Sequence, residues 1–408
     1  MISRVADHCF WFGRYLERAE STARLLQVTS TLAVDSDLSA LQCWQPVVIT
    51  AGEQERFVAL RGEAALGDGE AVQEYLSFGD EVLVSLEQSI AAARENARSV
   101  REVVSLEAWE SINELHLWMR SPAARAAFDE HRYGFYRHIR RETQLCLGLL
   151  RGTMLHDAPL DFIWLGVVLE RVGQTARILD VHHHAFADAA LVAPGAPPLA
   201  HPVVEASLWL SLLRACYGFE AFMKSHRGPV TAEAVARFLV FEPRFPRAVR
   251  HCVKRAREGL SNIRPEAQGK PPLRPLERLR VLEKWLDLRV LEPLDAASVH
   301  EILTTVVDET QAACFEISSE LLAAPLVSAA PPDGAGLTLE GPGAAGGGAA
   351  SEGAASEGAR AAAQAAEQAQ QGLAQSQSQG APGPAEGAAQ SEVSRAAEIG
   401  GAQSGPIK

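Results

Sequence analysis

WFGRYLERAESTARLLQ, residues 11–27, returns without a gap as WLGVVLERVGQTARILD at residues 164–180. Nine of the seventeen positions agree: Trp11/Trp164, Gly13/Gly166, Leu16/Leu169, Glu17/Glu170, Arg18/Arg171, Thr22/Thr175, Ala23/Ala176, Arg24/Arg177 and Leu26/Leu179. Apolar spacing alone identifies a helix packed on a core. It gives no reason to keep a Glu-Arg pair and a second arginine two turns later. The repetition therefore predicts an all-α, internally duplicated helical bundle that kept a charged constellation in both copies.

Further pairs of segments extend the duplication. AVQEYLSF at 71–78 matches AVARFLVF at 234–241, and ARENARSVR at 93–101 matches AREGLSNIR at 256–264. Glu142-Thr143-Gln144 answers Glu309-Thr310-Gln311 near the end of each half. The order and near-constant offset predict two pseudo-symmetric halves, 1–156 and 157–326. Each has the size of an ordinary domain.

Composition bounds the function classes. Apolar residues make up 47% of the chain, enough for a sizeable core, and aromatics only 6%. Alanine, leucine, arginine and glutamate dominate the body, all strong helix formers. The net charge is −13. Residues 327–408 hold eight acids and three bases, which leaves −8 on the body. An acidic body with interleaved arginines argues against nucleic-acid binding, which rests on phosphate neutralisation. No apolar run reaches the roughly 18–20 residues of a membrane span. Asp7, His8, Arg14 and Glu17 interrupt any signal-peptide pattern. Six cysteines without Cys-x-x-Cys spacing read as buried free thiols in a reducing, cytoplasmic setting.

Helical periodicity predicts helices over about 4–33, 41–60, 70–78, 80–104, 106–118 and 123–154 in the first half. In the second half it predicts 161–188, 203–225, 231–241, 246–262, 275–291 and 296–323. Ser105 is placed to cap the helix that carries Trp109, and Asp161 to cap the repeated helix. APGAPPLAHP at 193–202 is the clearest internal break. Residues 327–408 are Gly, Ala, Ser, Gln, Pro and Glu with almost no large apolar side chain, the composition of a disordered tail.

On a helical wheel Phe12, Leu16, Ala19, Ala23 and Leu26 form one stripe, with Glu17 and Arg24 nearly opposite. The second copy is apolar almost all round, so Glu170 and Arg177 are expected to be desolvated and paired. Arg18 and Arg171 fall on the edge of Trp11 and Trp164, an arginine beside an indole. Three readings of this constellation stand open. The charges form a structural ion-pair network; or they line a cleft between the halves, glutamates taking an amine and arginines a carboxylate; or Glu17 or Glu170 acts as a general base on amide bonds. In the second motif Glu95, Arg98 and Glu102 face away from the stripe, as a solvated face would. Arg94 and Arg101 flank it and are kept as Arg257 and Arg264, which makes them the better ligand-binding candidates.

His182-His183-His184 point in different directions on a helix and make a poor metal site. No Glu-x-x-His, second histidine near His300-Glu301, Gly-x-Ser-x-Gly or Walker loop occurs. No metal site and no cofactor are expected.

SRVADHCFWFGRYLERAESTARLL at 3–26, ARENARSVREVVSLEAWESINEL at 93–115 and LERVGQTARIL at 169–179 together resemble the alpha-E domain family, a bacterial all-helical family named for its Glu-Arg motif. The resemblance covers about 1–325. It implies that Glu17, Arg18, Glu170 and Arg171 carry the family motif, with Arg24, Arg177, Glu95, Asn96, Arg98 and Arg101 in neighbouring charged blocks. Members usually carry Asn where this chain has His8, and the long tail is not part of the pattern. The family is typically encoded beside, or fused to, a circularly permuted ATP-grasp protein, which implies a peptide- or amide-forming system. The expectation is an accessory or binding component with a Glu/Arg-lined cleft of Glu17, Arg18, Arg24, Glu170, Arg171, Arg177, Arg94 and Arg101. It would receive a peptide-like ligand, or the ATP-grasp protein that supplies ATP and metal chemistry. A stand-alone enzyme on amide bonds and a purely structural scaffold are the alternatives.

Overall fold

The reason α1 (Ser3–Asp35) and α9 (Ala158–Asp188) sit at the centre of the fold is a pair of glycines. A Cβ on Gly13 would lie 2.0 Å from the Ile163 carbonyl oxygen, and one on Gly166 would lie 2.1 Å from that of Phe10. No side chain fits either gap, so the two backbones touch, each glycine resting on the residue three places before the other. These contacts, and those of residues 14–18 with 170–171, follow one another in the same order on both helices. The helices therefore cross while running in the same direction.

The computed structural model describes residues 3–36, 38–80, 82, 84–188, 202–264 and 272–322. Among them the chain is helical throughout, without strands. Between α1 and α9 come α2 (Ala40–Ala51), α3 (Gln54–Arg61), α4 (Gly69–Phe78), α5 (Leu86–Ser99), α6 (Leu106–Met119), α7 (Pro122–Glu130) and α8 (Arg132–Thr153). After α9 come α10 (Pro202–Ala215), α11 (Phe219–Ser225), α12 (Ala232–Phe241), α13 (Val249–Ile263), α14 (Arg274–Arg289) and α15 (Ala296–Ile317). A 3-10 turn follows α3 and a π turn follows α15. α1 packs on α5 and α8, and α9 on α13 and α15. The described residues within 1–330 form one compact unit, whose core takes Phe10, Phe12 and Leu16 from α1 and Phe162, Ile163 and Val167 from α9. No helix among the described residues is long and apolar enough to cross a membrane. The disorder expected for 327–408 concerns residues outside those described, and so does the break at 193–202 except for Pro202, which begins α10.

Local chemistry sets the helix ends. Ser105 accepts from Ala108 N and starts α6 as expected, while Ser85 starts α5 six residues later than the 80–104 reading. Asp161 does not cap α9: the helix begins at Ala158 and Asp161 lies in its first turn. The single helix expected over 41–60 is broken by Gly52, whose φ of +76° is left-handed. His131 separates α7 from α8 within the stretch read as 123–154. Five of the six free cysteines are buried, and Cys314 is half-buried.

The break that positions the site falls inside the predicted helix 203–225. At the end of α10, Gly218 N donates to Leu213 O and Tyr217 N to Arg214 O, the paired bonds of a Schellman motif. That motif needs one left-handed residue, usually glycine. Here Tyr217 takes it, with φ +58°, and the glycine comes one residue late. A left-handed L-residue costs about 1–2 kcal/mol, and such strain is held where a side chain must point somewhere in particular.

Candidate functional site

Just beyond the crossing glycines, the two Glu-Arg pairs exchange partners. Arg171 Nη2 of α9 lies 3.0 Å from Glu17 Oε2 of α1, near enough for an ion pair but off the hydrogen-bond line. In return Arg18 Nε of α1 donates to Glu170 Oε1 of α9 at 2.8 Å. Both carboxylates are at most 1% exposed. Consecutive residues on a helix point about 100° apart, so each exchange builds a separate cluster around its own carboxylate.

The Glu170 cluster is saturated. Arg14 donates twice to Oε2, at 2.9 and 2.7 Å; Arg18 donates to Oε1 and Oε2; Gln174 Nε2 adds a fifth bond at 3.2 Å. An ionised carboxylate offers about four lone-pair sites, so nothing remains for another donor. Burial works to raise the Glu170 pKa. Arg18 and Arg14 outweigh it and hold the carboxyl well below its usual range.

The Glu17 cluster is built differently. Arg247, on the loop between α12 and α13, donates to Glu17 Oε1 at 2.5 Å and to Glu20 Oε2 at 3.0 Å. Thr175 Oγ1 donates to the Arg247 carbonyl at 3.1 Å and fixes that loop on α9. Arg24 donates through Nε and Nη2 to Glu20 Oε1 at 3.2 and 2.9 Å. Arg140 of α8 donates to Gln27 Oε1, with its Nε 4.0 Å from Glu20. Four guanidiniums (Arg24, Arg140, Arg171 and Arg247) thus share the two carboxylates of Glu17 and Glu20, leaving two positive charges in excess.

The strained Tyr217 carries the excess. Its ring meets the guanidiniums of Arg24, of Arg247 at 4.8 Å and of Arg140 at 5.4 Å. Cation-π contact offsets part of their repulsion. Burial, with Glu20 opposing it and Arg140 and Arg247 adding to it, still pushes Arg24 down to about 9. Burial likewise lowers Arg140. The shortage is one of counter-charge, and it borders a cleft of about 580 Å³ lined by Arg24, Gln27, Arg140, Tyr217, Asp35 and Glu220 among others. That volume lies in the range of ligand pockets. The cleft is basic at Arg24, Arg140 and Arg214 and acidic at Asp35 and Glu220.

The predicted residues thus divide. Glu17, Arg18, Glu170 and Arg171 form the exchanged pairs at the crossing; Arg24 lines the cleft; and Arg177 lines a separate cavity on the α15 side of α9. The face opposite the apolar stripe of α1 is not solvated, because α8, α9 and the Arg247 loop cover it. Arg171 does lie over Trp164, at 5.9 Å, but Arg18 lies over Tyr15 and it is Arg14 that meets Trp11. Arg94 and Arg101 belong elsewhere: both lie over Trp109, and Arg94 donates to Asn113. No hydrogen bond or ion pair joins them to either cluster among the described residues. Arg98 and Glu95 form an exposed pair at 2.5 Å, the solvated face expected of them. Asn96 Oδ1 lies 2.8 Å from His8 Nδ1, which gives that histidine a definite place against α5. His182 is buried on the Ile178 carbonyl, and His183 lies against Trp209. No group of three or more metal-ligating side chains comes together among the described residues.

Sequence reading missed Glu20, Arg140, Arg247 and Tyr217. Comparing the repeated stretches selects what they share, and Glu20 faces Gly173 in that alignment. Arg247 stands in FPRAV, a proline-marked loop, and Tyr217 precedes a glycine inside an otherwise helical pattern. That glycine was the available signal.

Comparison with known proteins adds a family. Residues 1–322 match the Alpha-E family, described as a predicted alpha-helical domain with a conserved ER motif, and the chain belongs to it. Relatives include an uncharacterised protein of Mycobacterium bovis, 21% identical over 338 residues, and two of Mycobacterium tuberculosis at 21% and 20%. Each alignment takes in 79% of this chain but only 37% of the relative, so the chain spans little over a third of the length of these proteins. No solved structure matches.

Proposed function

We propose that this Alpha-E protein is a binding component that takes a peptide-like ligand by its carboxylate into the cleft beside Arg24, Arg140 and Tyr217. One observation carries the reading: three guanidiniums gather on a single strained tyrosine with too few carboxylates to neutralise them. A ligand carboxylate supplies the missing charge and accepts arginine's fork of donors. Asp35 lies eleven residues along α1 from Arg24, about 16 Å at the helical rise. An extended peptide of about five residues spans that distance, setting its amino group by Asp35 and Glu220 and its carboxylate by Arg140.

The two clusters are the descendants of one duplicated unit in this reading; the exchanged Glu-Arg pairs and the reciprocal glycines support it. The catalytic alternative draws less support. Both carboxylates are buried: Glu170 is saturated by its donors and sits below the range of a useful base, and Glu17 is ion-paired with Arg171 and Arg247. A circularly permuted ATP-grasp protein is the partner that the family resemblance suggests. It would bring the nucleotide and metal chemistry for which this chain has no motif.

Titration calorimetry of the full chain with penta-alanine as free acid and as C-terminal amide tests the proposal. A charge-assisted hydrogen bond contributes about 1.5–3 kcal/mol, so the free acid should bind at least about tenfold tighter, and Arg140→Gln should erase the difference. Equal binding of acid and amide, or none of either, overturns the assignment.

A further inference from the structure

The second arginine of the repeated motif, Arg177, sits where its counterpart's partner is missing. Four residues before Arg24 stands Glu20, which receives both of its donors. Four residues before Arg177 stands Gly173, and an ideal Cβ there would lie 3.0 Å from Arg177 Nη1. The guanidinium therefore folds back over the glycine. Glu170, the nearest acid, is already saturated by Arg14, Arg18 and Gln174. Among the described residues Arg177 has neither a hydrogen bond nor an ion pair. Burial, with Glu170 opposing it and Arg18 and Arg14 adding to it, lowers the Arg177 pKa.

Beside Arg177 and Gly173 lies a cavity of about 170 Å³ whose lining also includes Arg14, Glu170, Thr310, Gln311 and Cys314; the Glu170 carboxylate there is already paired with Arg14 and Arg18. Thr310 is 4% exposed, and its Oγ1 has no hydrogen-bond partner. A buried hydroxyl left without a partner costs free energy, and this one lines the space that Arg177 also faces. Burial holds the Cys314 thiol protonated, so it adds no negative charge to that of Glu170, which Arg14 and Arg18 already offset. Exposed Gln311 gives the cavity a way out to solvent. The volume falls below that of drug-sized pockets but exceeds the share of several waters, at about 30 Å³ each.

We propose that this cavity, formed by α1, α9 and α15, is a second binding site: it takes a small oxyanion, first of all a carboxylate, between the Arg177 guanidinium and the Thr310 hydroxyl. The ligand stands in for the glutamate that α9 lacks at position 173. The site is independent of the cleft at Arg24, and binding needs no covalent step.

Thermal unfolding of the full chain in acetate, in phosphate and in chloride at matched ionic strength tests it. Two variants accompany the wild type: Gly173→Glu, which builds the missing carboxylate into the chain, and Arg177→Gln, which removes the cation. The wild type should show a saturable rise in melting temperature with acetate or phosphate beyond that in chloride. Both variants should lose it, and Gly173→Glu without anion should melt no lower than the wild type. A stronger response to acetate marks a carboxylate site, and to phosphate a phosphate site. Should Gly173→Glu fail to fold, Arg177→Gln decides alone. No saturable response in the wild type, or one that survives in Arg177→Gln, overturns the site; survival there assigns the effect to the Arg24 cleft or to general salting. Loss of the penta-alanine preference with this response intact would overturn only the cleft.

Discussion

The Glu17 and Glu170 clusters start from the same seventeen-residue motif and reach different ends. Around Glu170, five hydrogen bonds exhaust one carboxylate, and the surplus cation Arg177 is set aside in a cavity of about 170 Å³. Around Glu17, a second carboxylate and a third helix draw in Arg140 and Arg247, and the surplus gathers on Tyr217 beside about 580 Å³ of cleft. The shared residues hold α1 on α9; the unshared ones decide what each surplus cation can bind. A motif present twice thus serves as a clamp, and function is to be sought in its asymmetric neighbours.

Breaking the crossing itself should have the largest effect. Gly13→Ala or Gly166→Ala drives a methyl onto a backbone carbonyl and should cost about 4 kcal/mol or more. Urea unfolding should show similar losses for the two, since the contact is reciprocal. Next comes the clamp. Glu170→Gln leaves the half-buried Arg14 and Arg18 without counter-charge, a loss of about 3 kcal/mol. Glu17→Gln should cost less in the same assay, because Arg247 keeps Glu20.

Acid titration sharpens the contrast. The folded-state pKa of Glu170 lies below the ordinary 4.5, so its contribution is complete above 4.5 and is lost as the pH falls below that value. Burial pushes His182 down to about 4 against a usual 6.5. Between 6.5 and 4 the unfolded chain binds the extra proton, so stability falls with falling pH by at most about 1.4 kcal/mol per unit. His182→Gln should flatten the upper window and Glu170→Gln the lower, as read by denaturation midpoints across pH. The smallest effect belongs to the exposed pair: Arg98→Ala should leave the melting temperature unchanged.

The sequence made the helical class, the charged motif and the importance of the repeated stretch legible, because period and repetition are local signals. Ser105 as a cap was equally local. What escaped depends on distant parts of the chain. Arg247 reaches Glu17 across 230 residues, and Arg140 approaches Glu20 from another helix. Tyr217 broke a helix that hydrophobic periodicity ran straight through. Arg94 and Arg101 recur as well, but only the structure shows that they pack together on Trp109, apart from both clusters.

The most direct test of the central claim, that the Glu17 cluster carries cation in excess of its structural need, is the melting temperature of Arg140→Gln without ligand. Removing a surplus guanidinium relieves repulsion with Arg24 and Arg247, so the variant should melt at or above the wild-type temperature. A clear fall would show Arg140 to be a strut of the bundle and would contradict the account.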